Sequence, residues 1–373
     1  MSLGGNMHTL ERLRHSKGLE GIRGLAVLVV VIYHADLPLR GGHVGVNIFF
    51  VLSGFLMTHI LLQERIATGT IRFGNFYISR ALRLYPALVA LVAVVTVYSL
   101  VVPDAVRSGA SLSGWFPALF YFANWVRAFG HPGALGMYEH TWSLSIEEQF
   151  YFLWPLLLWV IFRFVGKLSA VVYVSLAGCV GALLLRLVIA PGVEGEPRVF
   201  NGLDTQADQL LFGCALAAGV MWASSSRRTP ALERGLTVAL WPSVVGLAAA
   251  ILFWHRIDST TVVRVATSLV GLAAACVVGY VYLAPHAWVA RTLRIAPLKY
   301  LGQRSYGLYL WHYPVFTWVF TLSIPKFGMV LLGLALSLGA TELSYRYVEK
   351  PFREIKSRRT QRQSATMPSS RML

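Results

Sequence analysis

The sequence predicts an all-α protein that crosses a membrane about ten times. Three observations carry that expectation. Of 373 residues, 56% are hydrophobic and only 13% are charged, against about 25% charged in soluble domains. Mean hydropathy is +0.59. Apolar runs of spanning length recur throughout, and the arginines and lysines between them alternate in density from one connection to the next.

The runs lie at about 19–37, 44–62, 84–102, 145–163, 168–190, 207–223, 236–254, 262–284, 300–322 and 327–347. One more, "WFPALFYFANWV" at 115–126, is short and holds Pro117, Asn124 and two tryptophans. Positive-inside counting decides its status. With ten crossings and a cytoplasmic N-terminus, Arg65, Arg72, Arg80, Arg83, Arg163, Lys167, Arg227, Arg228 and Arg234 all fall inside. So do Arg291, Arg294, Lys299 and the basic tail, whereas eleven crossings would invert everything after residue 126. Segment 115–126 is therefore expected to be re-entrant or interfacial, which is allowed where protein or water satisfies its backbone.

This gives a cytoplasmic N-terminal segment over 1–18, one transmembrane unit over 19–353 and a basic, disordered cytoplasmic tail over 354–373. Arg12, Arg14 and Lys17 before the first apolar run resemble a signal peptide. No small-residue cleavage site follows, so that run reads as a retained span. The formal charge of +16 is membrane-side bias rather than affinity for nucleic acid. Cys179, Cys214 and Cys276 lie inside apolar runs, so neither a disulfide framework nor a metal site is expected.

Ionisable residues at membrane depth are functional by default. Arg23 and His34 bracket span one, about 16 Å apart along a helix axis. In "HTWSLSIEEQFYFLWP", residues 140–155, Ser145 and Glu148 fit a capping box. Glu147 shares a face with Phe150, Tyr151 and Trp154, at a depth suited to orienting His34. Arg80 and Arg83 in "SRALRLYP" lie one turn apart at the start of span three, where guanidinium groups and free amides suit phosphate. "RSYGLYLWHYPVF" places Ser305, Tyr309 and His312 on one face before an expected kink at Pro314. Asp204 and Asp208 open span six, where they could bind acceptor hydroxyls or cap the helix. Glu342 and Arg346 form an i, i+4 pair, and Pro351 is expected to end the last span. Phosphate-binding groups at one end and a base at the other suit coenzyme A, whose pantetheine arm is long enough to thread part of a bilayer.

Together, "LEGIRGLAVLVVVIYHA", "GVNIFFVLSGFLMT", "ISRALRLYPA", "TWSLSIEEQFYFLWP", "SYGLYLWHYPV" and "YRYVEKPF" resemble the acyltransferase 3 family of bacterial integral-membrane O-acyltransferases over about residues 18–353. The resemblance implies acyl transfer, often of acetyl, from acyl-coenzyme A to hydroxyls on surface glycans, lipid-linked sugars, peptidoglycan or glycosylated antibiotics such as macrolides. It implies His34 as the catalytic histidine, Glu147 as its carboxylate, and Arg23, Arg80 and Arg83 at the coenzyme A site. Asp208, Tyr309 and His312 are expected in the acceptor pocket. Acyl-coenzyme A would be a donor substrate, with no resident cofactor and no metal. The location implied is the cytoplasmic membrane, with both termini inside.

Glu20 and Asn47 stand where Asp is common in the family, and Gln206 where Arg often precedes the acidic residue matching Asp208. Some relatives add an extracytoplasmic hydrolase-like domain. With none in these residues, the expectation is that this chain finishes the transfer or hands the acyl group to a separate protein. The rival from another class is a transporter or flippase of lipid-linked sugars, which would show broken helices related by an internal repeat.

Overall fold

Lipid offers no partner to backbone amides, so each long apolar run must satisfy its own, and it does so as a helix. The computed structural model describes residues 17–101, 114–130, 133–189, 195–254 and 261–355, and these contain no β-strand. In chain order the helices are α1 (Lys17–His34), α2 (His43–Thr68), α3 (Phe73–Val101), α4 (Trp115–Leu119) and α5 (Ala123–Phe129). Next come α6 (Thr141–Phe164), α7 (Leu168–Val188), α8 (Gly195–Asn201), α9 (Leu203–Ser225) and α10 (Thr229–Phe253). The last are α11 (Thr261–Leu283), α12 (Trp288–Thr292), α13 (Ala296–Gln303), α14 (Ser305–Val319) and α15 (Lys326–Ser344).

Eight of these, α2, α3, α6, α7, α9, α10, α11 and α15, are long and apolar enough to cross a membrane. The chain is an all-α polytopic membrane protein. The two remaining predicted spans form helices that depart from a plain apolar span. α1 carries Lys17, Glu20 and Arg23 within 18 residues. Run 300–322 breaks at Arg304 into α13 and a 15-residue α14. These two atypical elements hold His34 and His312. Segment 115–126 forms the short helices α4 and α5 rather than a crossing.

Two close approaches fix the centre. Gly54 of α2 lies against the Leu210 carbonyl of α9, and Gly213 of α9 against the Val51 carbonyl, so a Cβ at either would overlap backbone. Gly24 of α1 and Gly302 of α13 meet the Leu298 and Glu20 carbonyls in the same way. Small residues of this kind let membrane helices pack on their backbones. They leave α2 innermost, with 78% of its apolar window enclosed, while α7 and α10, at 22%, face outwards.

Several local expectations are corrected. α6 begins at Thr141, four residues before the expected cap. Ser145 Oγ therefore bonds the Thr141 carbonyl and the Ala123 amide, and Glu148 is free for another partner. α14 runs through Pro314 to Val319. Pro351 does not end the last span, which continues to Ile355. A π turn over Tyr345–Glu349 precedes that proline and relieves the clash that would stop a regular helix. The expected 1–18 segment and the tail fall almost wholly outside the described residues.

Candidate active site

α1 and α14 run side by side in the same direction and touch at two levels. At the lower level both Nε and Nη2 of Arg23 reach Ser305 Oγ, at 3.2 and 3.1 Å. At the upper level His34 Nδ1 lies 3.3 Å from His312 Nε2. Arg23 to His34 is about 16 Å of helix and Ser305 to His312 about 10 Å. The long arginine side chain makes up the difference.

The two imidazoles have the same local anchor. His34 Nδ1 lies 2.9 Å from the Val30 carbonyl, and His312 Nδ1 lies 3.0 Å from the Leu308 carbonyl, each four residues back on its own helix. A carbonyl only accepts, so in neutral imidazoles both protons sit on Nδ1. His312 Nε2 is then a lone pair facing the His34 Nδ1–H, and His34 Nε2 is left as a basic nitrogen.

A third histidine, His140, precedes α6 at the same end. Its ring centroid is 5.8 Å from that of His312 and 5.0 Å from that of Tyr313. Tyr309 hydroxyl bonds Ser143 Oγ at 2.5 Å and donates to the His140 carbonyl at 2.9 Å. Among the described residues no three metal-ligating side chains are arranged to hold an ion.

Sequence reasoning expected Glu147 to orient His34; the geometry gives that place to Val30 and His312. Glu147 lies seven residues past His140 on α6, about 10 Å away along the axis, and takes a 2.8 Å hydrogen bond from Ser53. There it faces the charges of Arg80 and Arg23.

The lower end is strongly basic. Arg80 pairs with Glu148 at 2.9 Å and lies over the Tyr151 ring. Arg353, carried round by the π turn, pairs with Glu349 at 2.7 Å. Arg83 faces Arg23, Arg80 and Arg353, and among the described residues it has neither an ion pair nor a hydrogen bond. Arg23 is bonded only to a neutral hydroxyl. Both keep accessible surface although they point into the bundle. Two enclosed guanidinium groups that make no ion pair of their own, beside two more, can receive an anion.

The three predicted arginines thus come together, as do His34, His312 and Tyr309. Asp208 does not join them. It accepts from both Nη atoms of Arg186, at 2.9 and 2.5 Å, and from Ser268 at 2.7 Å. Neither Asp208 nor Arg186 has side-chain exposure, so Asp208 fastens α9 to α7 and α11, apart from Tyr309 and His312, with which it was expected. Gln206 likewise serves the fold, donating to the Val199 carbonyl. His140, Ser53 and Arg353 were missed from sequence. His140 could have been found by its depth, level with His34; Arg353 was hidden among the basic residues that flank any last span, and Ser53 gave no signal.

The described helices form a membrane bundle with a histidine pair at one end and a cluster of arginines at the other. A family model described as an acyltransferase domain matches residues 16–345, and the chain belongs to that acyltransferase 3 family. It is 32% identical over 360 residues to the peptidoglycan O-acetyltransferase OatA of Listeria monocytogenes, covering 91% of this chain and 56% of that protein. It is 34% identical over 367 residues to the putative peptidoglycan O-acetyltransferase YrhL of Bacillus subtilis, covering 93% and 56%. A putative O-acetyltransferase of Staphylococcus aureus is 31% identical over 359 residues, covering 92% and 58%. The chain thus spans a little over half the length of these relatives. No solved structure matches it significantly.

Proposed function

We propose that this protein transfers an acyl group, acetyl first among candidates, from acyl-coenzyme A to a hydroxyl of a sugar-containing acceptor, at the cytoplasmic membrane with both termini inside. The carrying observation is the pair of enclosed arginines that make no ion pair, Arg23 and Arg83, set below the His34–His312 pair. Coenzyme A brings phosphates to the first and a thioester to the second. Arg80 and Arg353 flank the phosphates, and Glu147, held by Ser53, keeps the uncompensated charge from growing further.

His34 Nε2 removes the proton of the acceptor hydroxyl as the oxygen attacks the thioester carbonyl. The Val30 carbonyl accepts the His34 Nδ1–H and His312 Nε2 shares it, which holds the ring and stabilises the imidazolium. The tetrahedral intermediate collapses to the ester and the thiolate of coenzyme A, which takes back the proton. General base catalysis of this kind contributes about 10²- to 10⁴-fold. The peptidoglycan names among the relatives make a wall glycan the first acceptor to try. A transporter would give no reason to set one imidazole lone pair against another's N–H.

The test is thiol release from acetyl-coenzyme A by purified protein in lipid nanodiscs. His34→Ala should abolish it with folding unchanged, and His312→Phe should slow it by roughly tenfold or more. Turnover by His34→Ala at the wild-type rate would end this reading.

A further inference from the structure

Three carboxylates stand among the four arginines of the lower end, and one is held differently from the others. Glu148 pairs with Arg80 at 2.9 Å and Glu349 with Arg353 at 2.7 Å. Glu147 faces Arg80 and Arg23, yet among the described residues it makes no ion pair, and its one hydrogen bond comes from Ser53, at 2.8 Å to Oε1. A carboxylate present only to balance charge would pair as its two neighbours do. Glu147 is fixed instead by a neutral hydroxyl, and like Ser53 and Arg23 it keeps accessible surface inside the bundle. An ionised carboxylate has no proton to give, so the unpartnered Oε2 is a place for an O–H or N–H group.

The height of Glu147 decides which part of a ligand it meets. His140, Ser143, Glu147 and Tyr151 follow at steps of three and four residues and so share one face of the chain entering α6. Ser143, above, bonds the Tyr309 hydroxyl, and Tyr151, below, lies under the Arg80 guanidinium. Glu147 is one turn, about 6 Å, from each, at the top of the arginine cluster. With a thioester at His34 and phosphates at Arg23 and Arg83, it lies about 10 Å below the sulfur. An extended chain advances about 3.5 Å per three bonds, which brings the hydroxyl of the pantetheine arm and the amide beside it to that level.

We infer that Glu147 Oε2 accepts a hydrogen bond from the pantetheine hydroxyl of the donor and is thereby a specificity residue. The unpaired arginines receive the anionic end of the donor, and the unpaired carboxylate receives the neutral arm next to it. Charge turns phosphate away from Glu147, which sets the direction in which the donor threads. An enclosed carboxylate also rejects a donor without the hydroxyl, because it would stay desolvated and unpartnered. The inference deepens the proposed donor assignment and rests on it, while its own contact is read from binding alone.

The test is calorimetric titration of the full-length protein in nanodiscs with coenzyme A and with an analogue that lacks only the pantetheine hydroxyl. Wild type should bind the analogue roughly 10- to 150-fold more weakly than coenzyme A. Glu147→Ala should bind the two within about twofold of each other, since the group that distinguishes them is gone. The same variant should bind the nucleotide half alone, adenosine 3′-phosphate 5′-diphosphate, at least as tightly as wild type, because a negative charge beside the phosphates is removed. Should Glu147→Ala melt far below wild type, Glu147→Gln keeps the shape with a neutral acceptor and should still narrow the ratio several-fold. An equal penalty for the missing hydroxyl in wild type and variants overturns the contact. Discrimination in a protein that never releases thiol from acetyl-coenzyme A keeps the contact and removes the transfer reading, whereas thiol release without discrimination does the reverse. Failure of wild type to bind coenzyme A at all removes both.

Discussion

Two enclosed arginines in this molecule, one fully buried and one partly accessible, have opposite surroundings. Arg186 meets both oxygens of Asp208 and the Ser268 hydroxyl, with no side-chain exposure on either member of the ion pair. Arg83 makes no ion pair, faces three other arginines with Glu148 and Glu349 only at longer range, and keeps accessible surface. A charge in a low-dielectric interior must be compensated by something. Where the protein supplies the compensation directly, the arginine belongs to the fold; where it does not, the proposed function gives the place to a ligand.

The largest effect expected from that contrast is on stability. Asp208→Ala would leave Arg186 enclosed without its counter-ion, and breaking a buried pair from one side costs about 3–5 kcal/mol. Thermal melting in nanodiscs should show a large drop, partly restored by also replacing Arg186 with Met. If Asp208→Ala melts with the wild type but fails to bind acceptor, Asp208 returns to the acceptor pocket and the contrast breaks.

Arg83→Ala should do the reverse. Removing it relieves repulsion, so the ligand-free protein should melt no lower than wild type. Loss of a charged hydrogen bond worth about 1.5–3 kcal/mol should raise the acetyl-coenzyme A KM roughly 10- to 150-fold. Coenzyme A should raise the wild-type melting temperature and leave that of Arg83→Ala nearly unmoved. An unchanged KM would remove Arg83 from the donor site.

The same distinction explains what the sequence could and could not disclose. Helices follow from hydropathy, which is local, so α2, α3, α6, α7, α9, α10, α11 and α15 overlap the expected runs. Spacing along one helix also carried well: Ser305, Tyr309 and His312 do share a face, and each meets a site partner. Partnership between helices is not written in any one segment. Nothing near Asp208 announces Arg186, twenty-two residues earlier, and nothing near Glu147 announces Ser53. Helix face, depth and family resemblance all pair Glu147 with His34; four extra residues at the start of α6 lower it to the arginine level and raise His140 in its place.

The smallest effect is expected where charges pair in the open. Lys326 and Asp36 make a 2.5 Å ion pair at the histidine end, with side chains 62% and 75% exposed. Water screens such a pair, and its worth is about 0–1 kcal/mol. Lys326→Ala should therefore leave both the melting temperature and thiol release nearly unchanged, in contrast to Asp208→Ala at a similar N···O distance. Asp36 stands two residues beyond His34 at a positive φ of 54°, so the pair also tethers the turn that ends α1. A fall in turnover without a fall in melting temperature would mean that the tether sets the angle of the His34 ring, and that compensation by a partner is not enough to mark a charge as belonging to the fold.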